Sequence, residues 1–183
     1  MIQTARDLEA VLQRARTAGA RASEILVENT DTRTTWNARR GAVAQREASS
    51  HVATVRCWVD GGRQGTATGD PEDLETLVQR ALAATAAAPE DALAGPADRL
   101  GGTPRGLDID DRRLPMLTDE ERAEVIITNE RAALRETVHV DAGLFELEER
   151  REHRMFASSR GVVHEARSTT FHARGAVRVR AEE

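Results

Sequence analysis

Residues 51–69 constrain the fold most, because a two-residue apolar period there runs directly into a tight turn. Every second residue of HVATVRCWV is apolar: Ala53, Val55, Cys57 and Val59. This period predicts a β-strand whose apolar face packs on the core. The DGGR sequence at residues 60–63 predicts a tight turn, since glycine adopts positive φ at no steric cost. The glycine-rich RQGTATG after it predicts a short returning strand, and therefore an antiparallel meander.

Two runs before this segment predict further strands of the same meander. SEILVENTDTRTTWNA alternates in part, with Ile25 and Val27 on the face opposite Leu26 and Glu28. Gly41 separates this run from AVAQREAS, which we expect to form a strand of its own.

Two segments of the first half have the apolar period of amphipathic helices. The first covers residues 4–18, with Thr4 as its predicted cap and Gly19 at its end. The second begins at Asp70 and Pro71, a capping residue followed by a residue suited to the first helical turn. The predicted buried positions are Leu8, Val11, Leu12 and Ala15 in the first helix and Leu74, Leu77, Val78, Ala81 and Leu82 in the second.

The second half repeats the pattern of a helix followed by strands. Thr118 predicts a third helix start, with Glu121 placed to complete a capping box. Its predicted buried positions are Ala123, Ile126, Ile127, Ala133 and Leu134. Residues 138–181 predict a long antiparallel set, with a turn at residues 158–161.

This order of elements predicts an α+β fold, with antiparallel sheets and about three helices. We expect residues 1–88 to form a helix-meander-helix lobe and residues 89–117 to be a loop rich in proline and glycine. Residues 118–183 then add a helix and antiparallel strands that complete the domain.

Composition argues against nucleic-acid and membrane partners. The net charge is -5 and the sequence pI is about 5.6, whereas DNA-binding domains usually carry a basic face. The short basic pairs Arg39-Arg40 and Arg112-Arg113 are typical of solvated loops. No apolar run approaches the length of a membrane span, and acidic residues occupy the place of a signal peptide's apolar region. We therefore expect a cytoplasmic protein.

The segment HEARSTTFH, residues 164–172, resembles a metal-binding motif but lacks its spacing. Zinc peptidases place two histidines one helical turn apart, whereas His164 and His172 lie eight residues apart in a β-prone segment. On a strand the two would be roughly 26 Å apart, at about 3.3 Å per residue. A site built from His153, His164 and an acidic residue across the hairpin stays open as an alternative. The remaining histidines, His51 and His139, are isolated. We predict no catalytic, cofactor-binding or metal-binding residues.

Other candidate residues favour structural interpretations. Cys57, the one cysteine, lies in an apolar run and predicts a small buried side chain. Trp58 shares its strand face with polar residues, so it either contacts a partner from a half-exposed face or fills the core. The acidic residues 108–111 lack the rest of a calcium loop and predict solvated charges. The glycines of residues 61–69 lack a Gly-Lys-Ser/Thr sequence and fit hairpins better than a phosphate loop.

The ordered segments resemble the N-terminal domain of the TldD/PmbA family, also called modulators of DNA gyrase. The similar segments are GARASEILVEN, VRCWVDGGRQGTATG, DPEDLETLVQRALAATAAAPED and MFASSRGVVHEARSTTFHARGAVRVRA. Their order carries the resemblance, over roughly residues 7–181, and no single motif is diagnostic. The last segment departs from the family pattern, because SSRG stands where the family usually has Asn-Ser.

The resemblance implies part of a zinc metallopeptidase that acts on unfolded or small peptides, often as a pair of related subunits. In that family a helical His-Glu-x-x-x-His motif and a later cysteine hold the zinc, both in the C-terminal domain. This sequence contains no His-Glu-x-x-x-His. The implied role is therefore a non-catalytic domain or subunit that builds the chamber wall, pairs with a second subunit and guides peptides, with zinc in the C-terminal domain or the partner. The alternatives are a stand-alone peptide- or protein-binding adaptor and an autonomous zinc hydrolase.

Overall fold

The computed structural model describes residues 4–38, 42–96, 109–136 and 140–179. These contain three α-helices: α1 (Asp7–Thr17), α2 (Leu74–Ala84) and α3 (Asp119–Glu136). Five strands accompany them: β1 (Ala22–Asn37), β2 (Val43–Trp58), β3 (Gln64–Gly69), β4 (Val140–Ser158) and β5 (Val163–Val179). The strands form one sheet in the order β3-β2-β1-β4-β5. The predicted α+β class, with an antiparallel sheet and three helices, is confirmed for the described residues.

The strands are longer and fewer than the sequence predicted. Residues 42–49 and 51–59 were expected to form two strands, but one continuous strand, β2, covers all of both except Ala42 and Val59. No glycine or proline lies between Ala44 and Trp58, so nothing in the local chemistry interrupts the extended backbone.

The first helix begins differently from its prediction. The Thr4 side chain does not cap α1; instead the Asp7 carboxylate accepts a hydrogen bond of 2.9 Å from the Thr4 N–H. The predicted cap at Thr4 therefore does not form, and the regular helix begins at Asp7. Gly19 has φ 107°, as expected for a glycine at a helix end.

The chain divides into two compact units, each made of several segments. Unit 1 is the described part of Met1–Asn29, Ser50–Leu107 and Glu152–Arg167. Unit 2 is the described part of Thr30–Ser49, Asp108–Arg151 and Ser168–Glu183.

Unit 1 contains an apolar core formed by α1, α2 and one face of its strands. The predicted parity of β2 is confirmed, since Ala53, Val55 and Cys57 are fully buried, whereas Val59 lies beyond the strand end and is half-buried. Of the apolar residues predicted to be buried on the two helices, only Leu82 is partly buried. The others are buried: Leu8, Val11, Leu12, Ala15, Leu74, Leu77, Val78 and Ala81. Burial of such side chains stabilises the unit by about 1.5–3 kcal/mol for each large residue.

Glycines allow the β2-β3 connection and the close approach of α2. Gly61 and Gly62 have φ 79° and 71°, and the Val59 N–H donates to the Arg63 carbonyl at 3.1 Å, which confirms the predicted turn. Gly65 lies against the backbone of α2, where a Cβ atom would come within 1.9 Å of the Ala81 carbonyl oxygen. A side chain at Gly65 would therefore separate α2 from β3.

The β4-β5 turn of unit 1 also forms at the predicted residues. The Ser158 N–H donates to the Val162 carbonyl at 2.8 Å, and Gly161 has φ 79°. The turn is tied to β1 by two hydrogen bonds of 2.9 Å, because Ser159 donates its N–H to the Ser23 carbonyl and accepts from the Ser23 N–H through its hydroxyl.

Unit 2 places α3 over its strands through polar side chains as well as apolar ones. Both halves of the predicted capping box form: the Glu121 N–H donates to the Thr118 hydroxyl at 3.2 Å, and the Thr118 N–H donates to the Glu121 carboxylate at 2.7 Å. Ile126 is buried, but Leu134 is 45% exposed, so the predicted apolar stripe ends before the last turn.

Asn37 joins β1, β4 and α3 within unit 2. Its side-chain amide donates to Glu130 at 2.8 Å and to the Gly143 carbonyl at 2.9 Å, and its carbonyl accepts from the Phe145 N–H at 2.7 Å. A buried amide with all these groups satisfied fixes the position of the helix on the strands. None of the described helices is both long and apolar enough to cross a membrane.

Candidate functional site

A charged cleft of about 550 Å³ lies in unit 2, where the start of α3 faces parts of β1, β2 and β4. We call it the α3 cleft. Its ionisable lining residues are Asp31, Arg33, Glu47, Asp119, Arg122, Glu149 and Arg151. Four carboxylates therefore face three guanidinium groups, so the lining has a net charge of -1 when all are ionised.

Arg122 and Glu149 form a buried ion pair on the wall of the α3 cleft. The Arg122 Nε donates to Glu149 Oε2 at 2.5 Å, and the two side chains are 5% and 3% exposed. The other guanidinium nitrogens donate to the Leu117 carbonyl and, at 3.2 Å, to the Leu114 carbonyl. Because ions are costly to bury unless every donor is satisfied, this arrangement explains how an arginine occupies the inner face of α3.

The second oxygen of the Glu149 carboxylate takes no part in this ion pair. Oε1 is buried and accepts no hydrogen bond from any residue that the structure describes. A buried acceptor without a donor costs about 1–3 kcal/mol. The α3 cleft therefore has an unsatisfied, negatively charged acceptor in its wall.

The outer part of the α3 cleft has a second charge network. Arg33 donates to Asp119 at 2.8 Å and also to Glu47. The Ser49 hydroxyl donates to Asp31 at 2.7 Å. These groups are more exposed than the inner pair, so each contributes less to stability.

The α3 cleft was not predicted from the sequence, although the sequence contains two signals of it. Arg122 lies four residues before Ile126, and therefore on the buried stripe of α3. Glu149 shares the strand parity of Met155 and Ala157, both of which are buried. A cation and an anion on two buried faces predict an internal ion pair, but their partnership depends on strand order, which sequence periodicity does not give.

Of the histidines considered from the sequence, His164 and His172 both lie on β5, and His51 and His153 have side-chain partners. His153 Nε2 lies 2.8 Å from Glu165 Oε1, and His51 Nδ1 lies 3.1 Å from Asn29 Oδ1. Glu165 also accepts from Arg167 at 3.3 Å. Within residues 4–38, 42–96, 109–136 and 140–179, no three His, Cys, Asp or Glu side chains are grouped to hold a metal ion. His139 lies outside the described residues.

Cys57 and Trp58 are both buried at the end of β2. Burial raises the pKa of the Cys57 thiol to about 11, so it is protonated at neutral pH, as expected for a small core residue. Trp58 is only 4% exposed, so the half-exposed interpretation of this residue is wrong and core filling is correct. The end of β2 is covered on both faces, and strand parity therefore does not separate buried from exposed positions there.

Part of the acidic loop lies within the described residues, and the carboxylate of its last residue, Asp111, is hydrogen-bonded to Arg113. The Asp111 side chain accepts from the Arg113 backbone N–H at 2.9 Å and from its guanidinium at 3.0 Å. These hydrogen bonds lower the pKa of Asp111. Asp108 lies outside the described residues.

Comparison with known proteins identifies the fold. No protein-family model and no curated protein sequence matches the chain. Among solved structures, a Bacteroides thetaiotaomicron protein described as a modulator of DNA gyrase matches with a TM-score of 0.82 at 18% identity, over 97% of this chain and 41% of that protein. TldE from Thermococcus kodakarensis matches with a TM-score of 0.75 at 13% identity, over 95% of this chain and 39% of that protein.

A Thermotoga maritima protein, also described as a modulator of DNA gyrase, matches with a TM-score of 0.70 at 14% identity, over 91% of this chain and 41% of that protein. The chain thus spans about two fifths of the length of each of these proteins. At these identities the similarity establishes the fold alone. The resemblance to TldD/PmbA proteins that the sequence predicted is therefore confirmed at the level of the fold: this chain has the fold found in the gyrase-modulator and TldE structures.

Proposed function

We propose that this chain is a non-catalytic part of a TldD/PmbA-type metallopeptidase that acts on unfolded or small peptides. The observation that carries the proposal is the fold match, which covers 97% of this chain but only 41% of the Bacteroides protein. The sequence contains no His-Glu-x-x-x-His motif, so we assign the hydrolytic chemistry to another domain or subunit.

The described residues do not fit a zinc site. The side chains of His51 and His153 are hydrogen-bonded to Asn29 and Glu165, respectively. No three potential ligands are grouped in the described part of the chain. We therefore derive no catalytic step through a metal for this chain.

The edge strand β5 supports a role in guiding extended peptides. Within unit 2, the Thr169 N–H donates to the Ile109 carbonyl at 2.7 Å rather than to a sheet strand, so this edge group points away from β4. In an antiparallel strand, outward N–H groups recur at every second residue. Phe171, Ala173, Gly175 and Val177 therefore present their backbone groups to the same edge. A peptide can add to such an edge through main-chain hydrogen bonds, without sequence selection.

The proposal requires a second component, which we expect to be a related zinc-bearing subunit or a C-terminal peptidase domain. A direct test mixes the 183-residue chain with a TldD-type zinc subunit encoded in the same genome. We expect co-elution in size-exclusion chromatography and faster hydrolysis of an unfolded peptide than the zinc subunit shows alone. A chain that elutes as a well-folded species with no effect on any such subunit would instead support the adaptor alternative.

A further inference from the structure

The α3 cleft contains a buried acceptor that the protein itself leaves unsatisfied. Glu149 is 3% exposed, and its Oε1 atom receives no hydrogen bond from the described residues. Glu149 also lines the α3 cleft. A buried carboxylate oxygen on the wall of a cleft is a binding group for a donor that enters from outside.

Two of the three arginines that line the α3 cleft, Arg122 and Arg33, are already engaged in hydrogen bonds. Arg122 donates to Glu149 Oε2 and to the carbonyls of Leu114 and Leu117. Arg33 donates to Asp119 and Glu47. Neither side chain can turn toward Oε1 without losing hydrogen bonds that it makes now.

The charge of the cleft selects the sign of the ligand. Four carboxylates and three arginines line it, so a cationic ligand brings the net charge of the site closer to zero, whereas an anion makes it more negative. A cationic donor also forms a charge-assisted hydrogen bond with Oε1, which is roughly twice as strong as a neutral one.

The remaining walls favour a guanidinium over an ammonium group. Leu114, Pro115 and Leu117 provide apolar surface beside the charged groups. A guanidinium is planar and more weakly hydrated than an ammonium, so it loses less on entering a site with apolar walls. The volume of about 550 Å³ admits a whole arginine side chain.

We propose that the α3 cleft binds the guanidinium group of an arginine side chain, with Glu149 Oε1 as its acceptor. This inference deepens the proposed function, on which its biological meaning rests: the peptides that the chain guides would carry arginine. Binding itself is a property of this chain and does not require the peptidase assignment.

The test compares N-acetyl-arginine amide with N-acetyl-citrulline amide, which has nearly the same shape but no charge. Binding to the 183-residue chain is measured by titration calorimetry and by NMR shifts of backbone amides. We expect arginine amide to bind at least about ten-fold more tightly than citrulline amide, because a charge-assisted hydrogen bond is stronger than a neutral one. We also expect it to bind more tightly than N-acetyl-lysine amide, because a guanidinium is more weakly hydrated than an ammonium. The shifts should include Thr118 and Glu149, which line the cleft.

The matched variants are Glu149→Gln and Glu148→Gln, which make the same charge change at adjacent strand positions. Adjacent residues of a strand point to opposite faces, and Glu148 does not line the cleft. Glu149→Gln should weaken arginine binding about ten-fold or more, because an amide N–H₂ can then face the guanidinium, whereas Glu148→Gln should leave binding within about two-fold. Circular dichroism of both variants confirms that they are folded.

Equal affinity for arginine and citrulline amides would overturn the proposal, and so would tighter binding of lysine amide. An equal loss of arginine affinity in Glu149→Gln and Glu148→Gln would overturn it as well. If Glu149→Gln does not fold, the shift map of the wild-type chain decides, since shifts confined to residues outside the α3 cleft contradict it. Arginine binding can fail while the chain still associates with a zinc subunit, so this result and the test of the proposed function are distinguishable.

Discussion

Arg122 and Glu149 are joined by a 2.5 Å ion pair in which neither side chain is more than 5% exposed. Because both charges are buried, the pair should be intolerant of losing one partner but tolerant of losing both. We predict that Glu149→Ala lowers the free energy of unfolding by about 3–5 kcal/mol, since it leaves the Arg122 charge without its counter-ion.

The double variant Arg122→Met with Glu149→Met should be less destabilised than Glu149→Ala, because no buried charge remains. Urea unfolding followed by circular dichroism measures both. A double variant at least as unstable as the single one would show that the pair contributes more than mutual neutralisation.

Cys57 should determine how the free energy of unfolding changes between pH 9 and 11. The sequence contains neither tyrosine nor lysine, so Cys57 is the one side chain expected to titrate between pH 9 and 11. Burial raises its pKa from 9.0 to about 11 in the folded protein. The unfolded chain therefore loses its thiol proton first, and stability that is fully present below pH 9 is lost as the pH rises toward 11.

The expected loss is roughly 2–3 kcal/mol over this range. Urea unfolding at several pH values measures it, with Cys57→Ala as the control that should show a flat profile. Identical slopes for the wild-type protein and Cys57→Ala would mean that the thiol is not the titrating group.

Gly65 sets the separation of β3 and α2. A Cβ atom there would lie 1.9 Å from the Ala81 carbonyl oxygen and 2.8 Å from the Thr85 nitrogen, both of which are backbone atoms. We predict that Gly65→Ala lowers the free energy of unfolding by at least about 1–3 kcal/mol, which is the usual range for overpacking. Gly95→Ala is the matched control, because a Cβ at Gly95 meets no atom within 4 Å. A thermal melt of Gly65→Ala that superimposes on that of Gly95→Ala would contradict the close approach.

The outer edge of β5 can be tested with proline, which lacks an N–H. If the edge alternates as Thr169 indicates, the Ala173 N–H points outward and the Ala176 N–H bonds within the sheet. We predict that Ala176→Pro costs about 1–3 kcal/mol more than Ala173→Pro, because only the former removes a sheet hydrogen bond. Ala173→Pro should nevertheless weaken recruitment of an extended peptide. Equal destabilisation by the two variants would contradict the assigned edge.

Much of the fold could be predicted from local patterns. The parity of Ala53, Val55 and Cys57, the turn at residues 60–63 and the capping box of Thr118 all depend on neighbours in sequence, and all form as expected. The prediction of two strands where β2 is continuous failed because strand length follows from pairing with distant strands.

The α3 cleft could not be predicted in the same way. It depends on Arg122 of α3 meeting Glu149 of β4, and on the segment around Leu114 and Leu117 supplying carbonyl acceptors. Each residue taken alone fits a solvated charge, which is the commoner role for such residues. Only the strand order and the position of α3 bring them together.

The most direct test of the claim that another domain or subunit hydrolyses the peptide is whether this chain alone binds zinc and cleaves peptides. The measurement combines zinc content per chain, on protein purified without an affinity tag, with cleavage of an unfolded peptide in the presence and absence of a chelator. We predict zinc far below one equivalent and no chelator-sensitive cleavage, because the ligands of a catalytic zinc must converge and no three potential ligands are grouped among the described residues. About one zinc per chain, together with cleavage that a chelator abolishes, would contradict the account.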